Sequence, residues 1–137
     1  MKKRESVTKI MSKDLITLQV NEGLAKAELL FKENNVRHIP IVSGDKIEGI
    51  LSKTDLMRIS FVDNYDLDKV DTTIYDMLSL DQVMVRNPVC IAPTSTIKDV
   101  AEELVTKEFH ALPVVEDEKL VGIVTSTDLI NYLIEQY

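Results

Sequence analysis

The phrase Gly49-Ile50-Leu51-Ser52-Lys53-Thr54-Asp55-Leu56 returns, 73 residues further on, as Gly122-Ile123-Val124-Thr125-Ser126-Thr127-Asp128-Leu129. One ungapped register at that step also carries Ser6 onto Ser79, Met11 onto Met84, Pro40 onto Pro113, Val42 onto Val115 and Lys46 onto Lys119. Conservative matches such as Ile39 with Leu112 and Ile47 with Leu120 fill the space between. No other feature constrains the fold as strongly. Each copy is one supersecondary unit, too small to bury its apolar face alone, so the two copies are expected to cover each other. With 137 residues and 45% hydrophobic content, the chain has apolar material for one good core.

Each phrase reads as a buried strand that ends on a hydroxyl and turns directly into a helix. Ser52 and Asp55, like Thr125 and Asp128, stand in the relation of an N-cap and the third helical position. Two readings of this pattern stay open. The four residues cap helices and nothing more, or the free N–H groups at each helix start seat an anion such as a phosphate. In the second reading the nearby carboxylate accepts from sugar hydroxyls.

Along the chain, residues 6–11 read as a short helix capped by Ser6, and residues 15–18 as a brief extended piece. Asn21 is placed to cap a helix on which Leu24, Ala27, Leu30 and Phe31 recur at helical spacing. Residues 38–42 follow as a strand whose Pro40 suits a strand start or edge better than a central ladder. A turn at 43–46, a return strand at 47–51 and a helix at 54–61 complete the first copy. Asp63, Asp66, Asp68 and Asp71 then crowd a stretch that reads as a solvated connection, with one further helical turn at 74–78. A calcium loop is excluded there, because Val70 stands at a ligand position and no glycine supplies the sharp turn.

The second copy opens on a capping box, Ser79 with Gln82. An extended piece at 89–91 precedes a helix opened by Thr96, with Ile97, Val100, Ala101, Leu104 and Val105 on one face. A hairpin, 111–115 with 120–124, and a helix at 127–135 close the chain. The organisation is a repeat at 6–61, an acidic connection at 62–78 and a repeat at 79–135. The expected class is α/β, in the α+β sense: small sheets flanked by helices, the two repeats packed as one pseudo-twofold unit.

Composition narrows the function. A net charge of −7 with no basic stripe argues against nucleic acid and against anionic membrane surfaces. No run approaches the ~20 apolar residues of a membrane span, and no apolar stretch follows the basic start Met1-Lys2-Lys3-Arg4 as a signal peptide requires. The single cysteine, Cys90, has Thr17 as its counterpart, forms no internal disulfide and fits a reducing cytoplasm. Four glycines do not make a Walker loop or a dinucleotide fingerprint. Zinc spacing and a nucleophile–base motif are both missing, so neither an enzyme nor a required cofactor or metal is expected.

A short extended opening, an apolar-x-Pro-apolar-Val strand and Gly-x-x-Ser/Thr-x-x-Asp, present twice, resemble the cystathionine-β-synthase (CBS) domain in a tandem pair, a Bateman module. The resemblance covers residues 6 to about 135. It implies a regulatory rather than catalytic module, with clefts between the repeats that bind AMP, ADP, ATP or S-adenosylmethionine, and association into homodimers. On the family's pattern, Asp55 and Asp128 hold ribose hydroxyls, and Ser52 and Thr125 lie near phosphates with Thr54 and Thr127 alongside. Arg37, His38 and Ile39, and in the other copy His110, Ala111 and Leu112, line the cleft before and into the Pro strand. Ile16 with Thr17, and Val89 with Cys90, form the adenine wall. The copies differ in charge: Lys53 and Arg58 are replaced by Ser126 and Asn131, and the pair Arg37 and His38 by His110 and Ala111. The chain contains no effector domain, so the regulated protein is expected to be a separate partner. A ligand-free dimerisation or docking scaffold is the alternative reading.

Overall fold

The computed structural model of the chain describes residues 4–63, 77–107 and 109–137. The aspartates 66, 68 and 71, the excluded calcium loop and most of the helical turn at 74–78 lie outside these residues. A 3-10 turn, Val7–Lys9, opens the described chain, with Ser6 accepting the Thr8 N–H. Then follow β1 (Leu18–Gln19), α1 (Leu24–Glu33), β2 (His38–Ser43), β3 (Lys46–Ser52) and α2 (Lys53–Asp63). The second copy gives α3 (Leu80–Val83), β4 (Val85–Arg86), α4 (Ile97–Lys107), β5 (Ala111–Glu116), β6 (Lys119–Thr125) and α5 (Ser126–Glu135). Small sheets flanked by helices are the architecture, as the periodicity implies.

The step of 73 survives in the hydrogen bonding. The β2–β3 hairpin pairs Ile41 with Gly49 and carries an irregularity between Ile41 and Val42. The β5–β6 hairpin pairs Val114 with Gly122 and breaks register between Val114 and Val115. Leu18 lies parallel to Ile41 in one copy, and Ile91 to Val114 in the other. The two turns differ. Gly44 takes φ +66°, whereas Asp117 and Glu118 are both left-handed, at 50° and 67°. Two consecutive left-handed residues match the twist of the flanking strands.

Packing does not follow the sequence repeats. One compact unit comprises Ile16–Asn87, the other Met1–Leu15 with Pro88–Tyr137. In the first, Leu80 and Met84 of the second copy join the core of Leu18, Leu24, Phe31, Ile39, Ile41 and Leu51. β4 completes its sheet, in the order β1-β2-β3-β4, by pairing Arg86 with Gly49 and Val85 with Ile50. In the other unit, Val7 of the first copy enters the core of Val100, Leu104, Leu112, Val114 and Val124. Ser12 bridges Ile123 there, and the Ile97 N–H donates to the Glu5 carbonyl at 2.8 Å. The Tyr132 hydroxyl also donates to the Glu5 carboxylate, a bond that raises the phenol above its ordinary range. Each repeat thus lends its opening segment to the other's hairpin.

Three local expectations are corrected. The cap of α1 is Gly23, not Asn21, and it makes no side-chain cap bond. A turn displaces Asn21: the Glu22 N–H donates to the Gln19 carbonyl, and the Gln19 N–H to the Glu22 carboxylate at 2.8 Å. Pro40 is buried in a strand flanked on both sides rather than at an edge. It is tolerated because β1 reaches β2 only from Ile41 onward, so no ladder bond on that side asks for the missing N–H. The extended pieces are also shorter than expected: two residues in β1, and a single bridge at Ile91.

Candidate ligand-binding site

Each hairpin ends by feeding a helix, and the expected site residues gather at that junction. In the unit built on the first copy, His38 pairs with Ser52 across the last rung of β2 and β3. The Lys53 N–H donates to the Arg37 carbonyl at 2.8 Å, which fixes Arg37 beside the start of α2. Ser52 caps that helix, its Oγ accepting the Asp55 N–H at 3.0 Å. In the unit built on the second copy the frame repeats: Ala111 pairs with Thr125, and the Ser126 N–H donates to the His110 carbonyl at 2.9 Å. Thr125 accepts the Asp128 N–H at 3.2 Å. Backbone geometry therefore brings Arg37, His38, Ser52, Thr54 and Asp55 together, and likewise His110, Ala111, Thr125, Thr127 and Asp128.

The two aspartates are used differently. The Asp128 carboxylate turns back on its own cap, accepting from the Thr125 N–H at 2.8 Å and from the Thr125 hydroxyl at 3.1 Å. This closes a full capping box. The Asp55 carboxylate instead pairs with Arg58 one turn along α2, at 3.2 Å. Asn131 stands where Arg58 would be repeated, so the second copy lacks this ion pair by sequence. Charge follows the same division. Arg37, Lys53 and Arg58 are exposed around the first junction, against His110, Ser126 and Asn131 around the second.

The remaining expected residues lie on the interior side. Ile39 and Leu112 are fully buried in their cores. Ile16 packs on the core of the first unit and Val89 on that of the second, and Thr17 and Cys90 are half-buried beside them. Burial pushes the Cys90 thiol above its ordinary pKa, and the thiol donates to the Pro88 carbonyl at 3.3 Å. Among the described residues, no three His, Cys, Asp or Glu side chains converge as a metal site, and no helix is long and apolar enough to cross a membrane. Arg58 is the residue that sequence reasoning undervalued. Its signal was the i, i+3 spacing from Asp55 on the exposed face of a helix.

A family model for the CBS domain matches residues 7–61 and 80–135. A homoserine O-acetyltransferase of Methanohalobium evestigatum is 31% identical over 133 residues, covering 96% of this chain and 24% of the relative. The chain thus spans about a quarter of that enzyme. An uncharacterized protein of Methanocaldococcus jannaschii, MJ1426, is 30% identical, with 91% of this chain and 89% of the relative covered. Among solved structures, protein MJ1225 from Methanocaldococcus jannaschii superimposes with a TM-score of 0.80 at 25% identity, covering 95% of this chain and 48% of that one. The CBS domain pair of protein MJ0100, in complex with 5′-methylthioadenosine and S-adenosyl-L-methionine, gives 0.74 at 27% identity, with 96% and 98% covered.

Proposed function

This chain belongs to the CBS domain family through both of its repeats, and on that premise we propose that it is a regulatory module that binds adenosine-containing ligands and signals to a separate protein. The observation that carries the reading is the repeated junction itself. Twice, a strand ends on a hydroxyl that caps a helix, with an aspartate at the third helical position and a basic residue, Arg37 or His110, held beside it by a main-chain bond. The positive end of a helix and a serine or threonine hydroxyl suit a phosphate, and a carboxylate suits a ribose diol. Support also comes from the pair in protein MJ0100, 27% identical over nearly the same length, whose ligands are two adenosine compounds.

The module acts by binding and not by catalysis, and it works in the cytoplasm as a homodimer. Apolar side chains left open on α5, Ile130, Leu133 and Ile134, support association. Sedimentation of the chain is expected near twice 15.5 kDa. The ligand reading is tested by thermal shift against adenosine, 5′-methylthioadenosine, AMP, ADP, ATP and S-adenosylmethionine, with GTP as control. A ligand at 100 times its Kd stabilises the folded chain by about 2.7 kcal/mol. If no adenosine compound raises the melting temperature, the helix caps are structural only and the module is a docking scaffold.

A further inference from the structure

The two junctions share a backbone frame and differ in charge, and we infer that Arg58 is a specificity-determining residue that makes the first junction selective for phosphate-bearing adenosine ligands over uncharged ones. This rests on the adenosine-binding reading above. In that frame a bare Asp55 carboxylate, in a chain of net charge −7, repels an incoming phosphate. Arg58 pairs with Asp55 at 3.2 Å while its own side chain is 75% exposed. The pair is neutral as a whole, and the guanidinium has N–H groups left to turn toward an anion. Arg37 and Lys53, joined by the 2.8 Å main-chain bond, add two exposed cations at the same end of the hairpin.

The second junction serves as an internal comparison. Asp128 is occupied by the N–H and hydroxyl of its own cap, and the three cations become His110, Ser126 and Asn131. An uncharged adenosine compound loses little in such a place, whereas a phosphate meets no counterpart of the Lys53 and Arg58 cations. The asymmetry therefore concerns the class of ligand as well as its affinity. A substitution at position 58 is expected to alter the preference for phosphate and leave recognition of the nucleoside in place.

The test is calorimetry of the whole chain with ADP and with uncharged 5′-methylthioadenosine, on the native protein, Arg58→Asn and Arg58→Lys, at two salt concentrations. ADP is expected to bind the native protein more tightly than 5′-methylthioadenosine. Arg58→Asn should weaken ADP roughly tenfold, the loss of one charged contact, and change 5′-methylthioadenosine less than about twofold. Arg58→Lys should recover part of the ADP affinity, and the salt dependence of ADP binding should flatten in Arg58→Asn. Because Arg58 is exposed, the variant's melting temperature should stay within about 2 °C of native. Equal weakening of both ligands, or an ADP affinity unchanged by Arg58→Asn, would overturn the inference while leaving adenosine binding intact. Failure of both ligands to bind the native chain would overturn the functional reading and this inference with it.

Discussion

Met84 lies across Gly49 so closely that its sulfur would stand 2.6 Å from any Cβ at that position, with the Val85 carbonyl at 2.8 Å. Met11 makes the matching contact over Gly122, its sulfur at 2.7 Å. Both contacts cross between copies, since each methionine belongs to the repeat that does not contain its glycine. The glycine in each strand is required by the opening segment laid over it, not by a turn.

Gly49→Ala should therefore destabilise the chain by about 1–3 kcal/mol through overpacking. Combining it with Met84→Ala should cost less than the sum of the two single changes, because removing the Met84 side chain relieves its share of the clash and leaves only the Val85 carbonyl against the new methyl. Urea denaturation of the four proteins of this double-mutant cycle measures the difference, and strict additivity would show that the two residues do not compete for the space.

Val7 is fully buried among side chains of the second copy. Val7→Ala removes two methyl groups from that core and should cost about 2 kcal/mol. The location of the loss is the sharper readout. Hydrogen exchange should accelerate first in α4, β5 and β6, although the substitution lies in the first repeat. Loosening confined to α1, β2 and β3 would contradict the exchanged packing.

The contrast between the two aspartates is measurable without ligand. Asp128→Ala opens a capping box and should cost about 1 kcal/mol. Asp55→Ala leaves the Ser52 cap bond to a main-chain N–H and loses one exposed i, i+3 pair, worth about 0.3–0.5 kcal/mol. Thermal melts should rank Asp128→Ala clearly below Asp55→Ala, and the reverse order would refute the assignment of roles.

Acid sensitivity follows from α4. The Asp99 carboxylate accepts the Thr96 N–H at 2.9 Å, and this bond, with the Thr96 hydroxyl, holds Asp99 below the usual carboxylate range. A group depressed in the folded state stabilises it above the unfolded pKa of about 3.9, and that contribution fades as pH falls through the lower folded value. Asp99→Asn should therefore show a shallower fall in melting temperature between about pH 5 and pH 2 than the native protein. Parallel curves would mean that the cap makes no ionic contribution.

The repeat, both hairpins, the helix starts at Ser52, Thr96 and Thr125, and the excess of basic residues in the first copy were legible in the sequence. The repeat shows as one register at a step of 73, and the hairpins and helix starts follow from a turn, a cap or a periodic face within some ten residues. The cap of α1 was not legible, because Gly23 announces nothing that Asn21 does not announce better, and the choice depended on Gln19 and Glu22 closing a turn. Which hairpin receives each opening segment was settled by packing between distant parts of the chain. Met11 and Met84, Gly49 and Gly122, Val7 and Leu80 occupy equivalent positions, so the hydrophobic pattern is satisfied equally by packing within a copy or across copies. Tertiary placement likewise separated Asp55 from Asp128, which stand in the same motif. One carboxylate folds back onto its cap and the other reaches Arg58, a partner that the second copy replaced with Asn131.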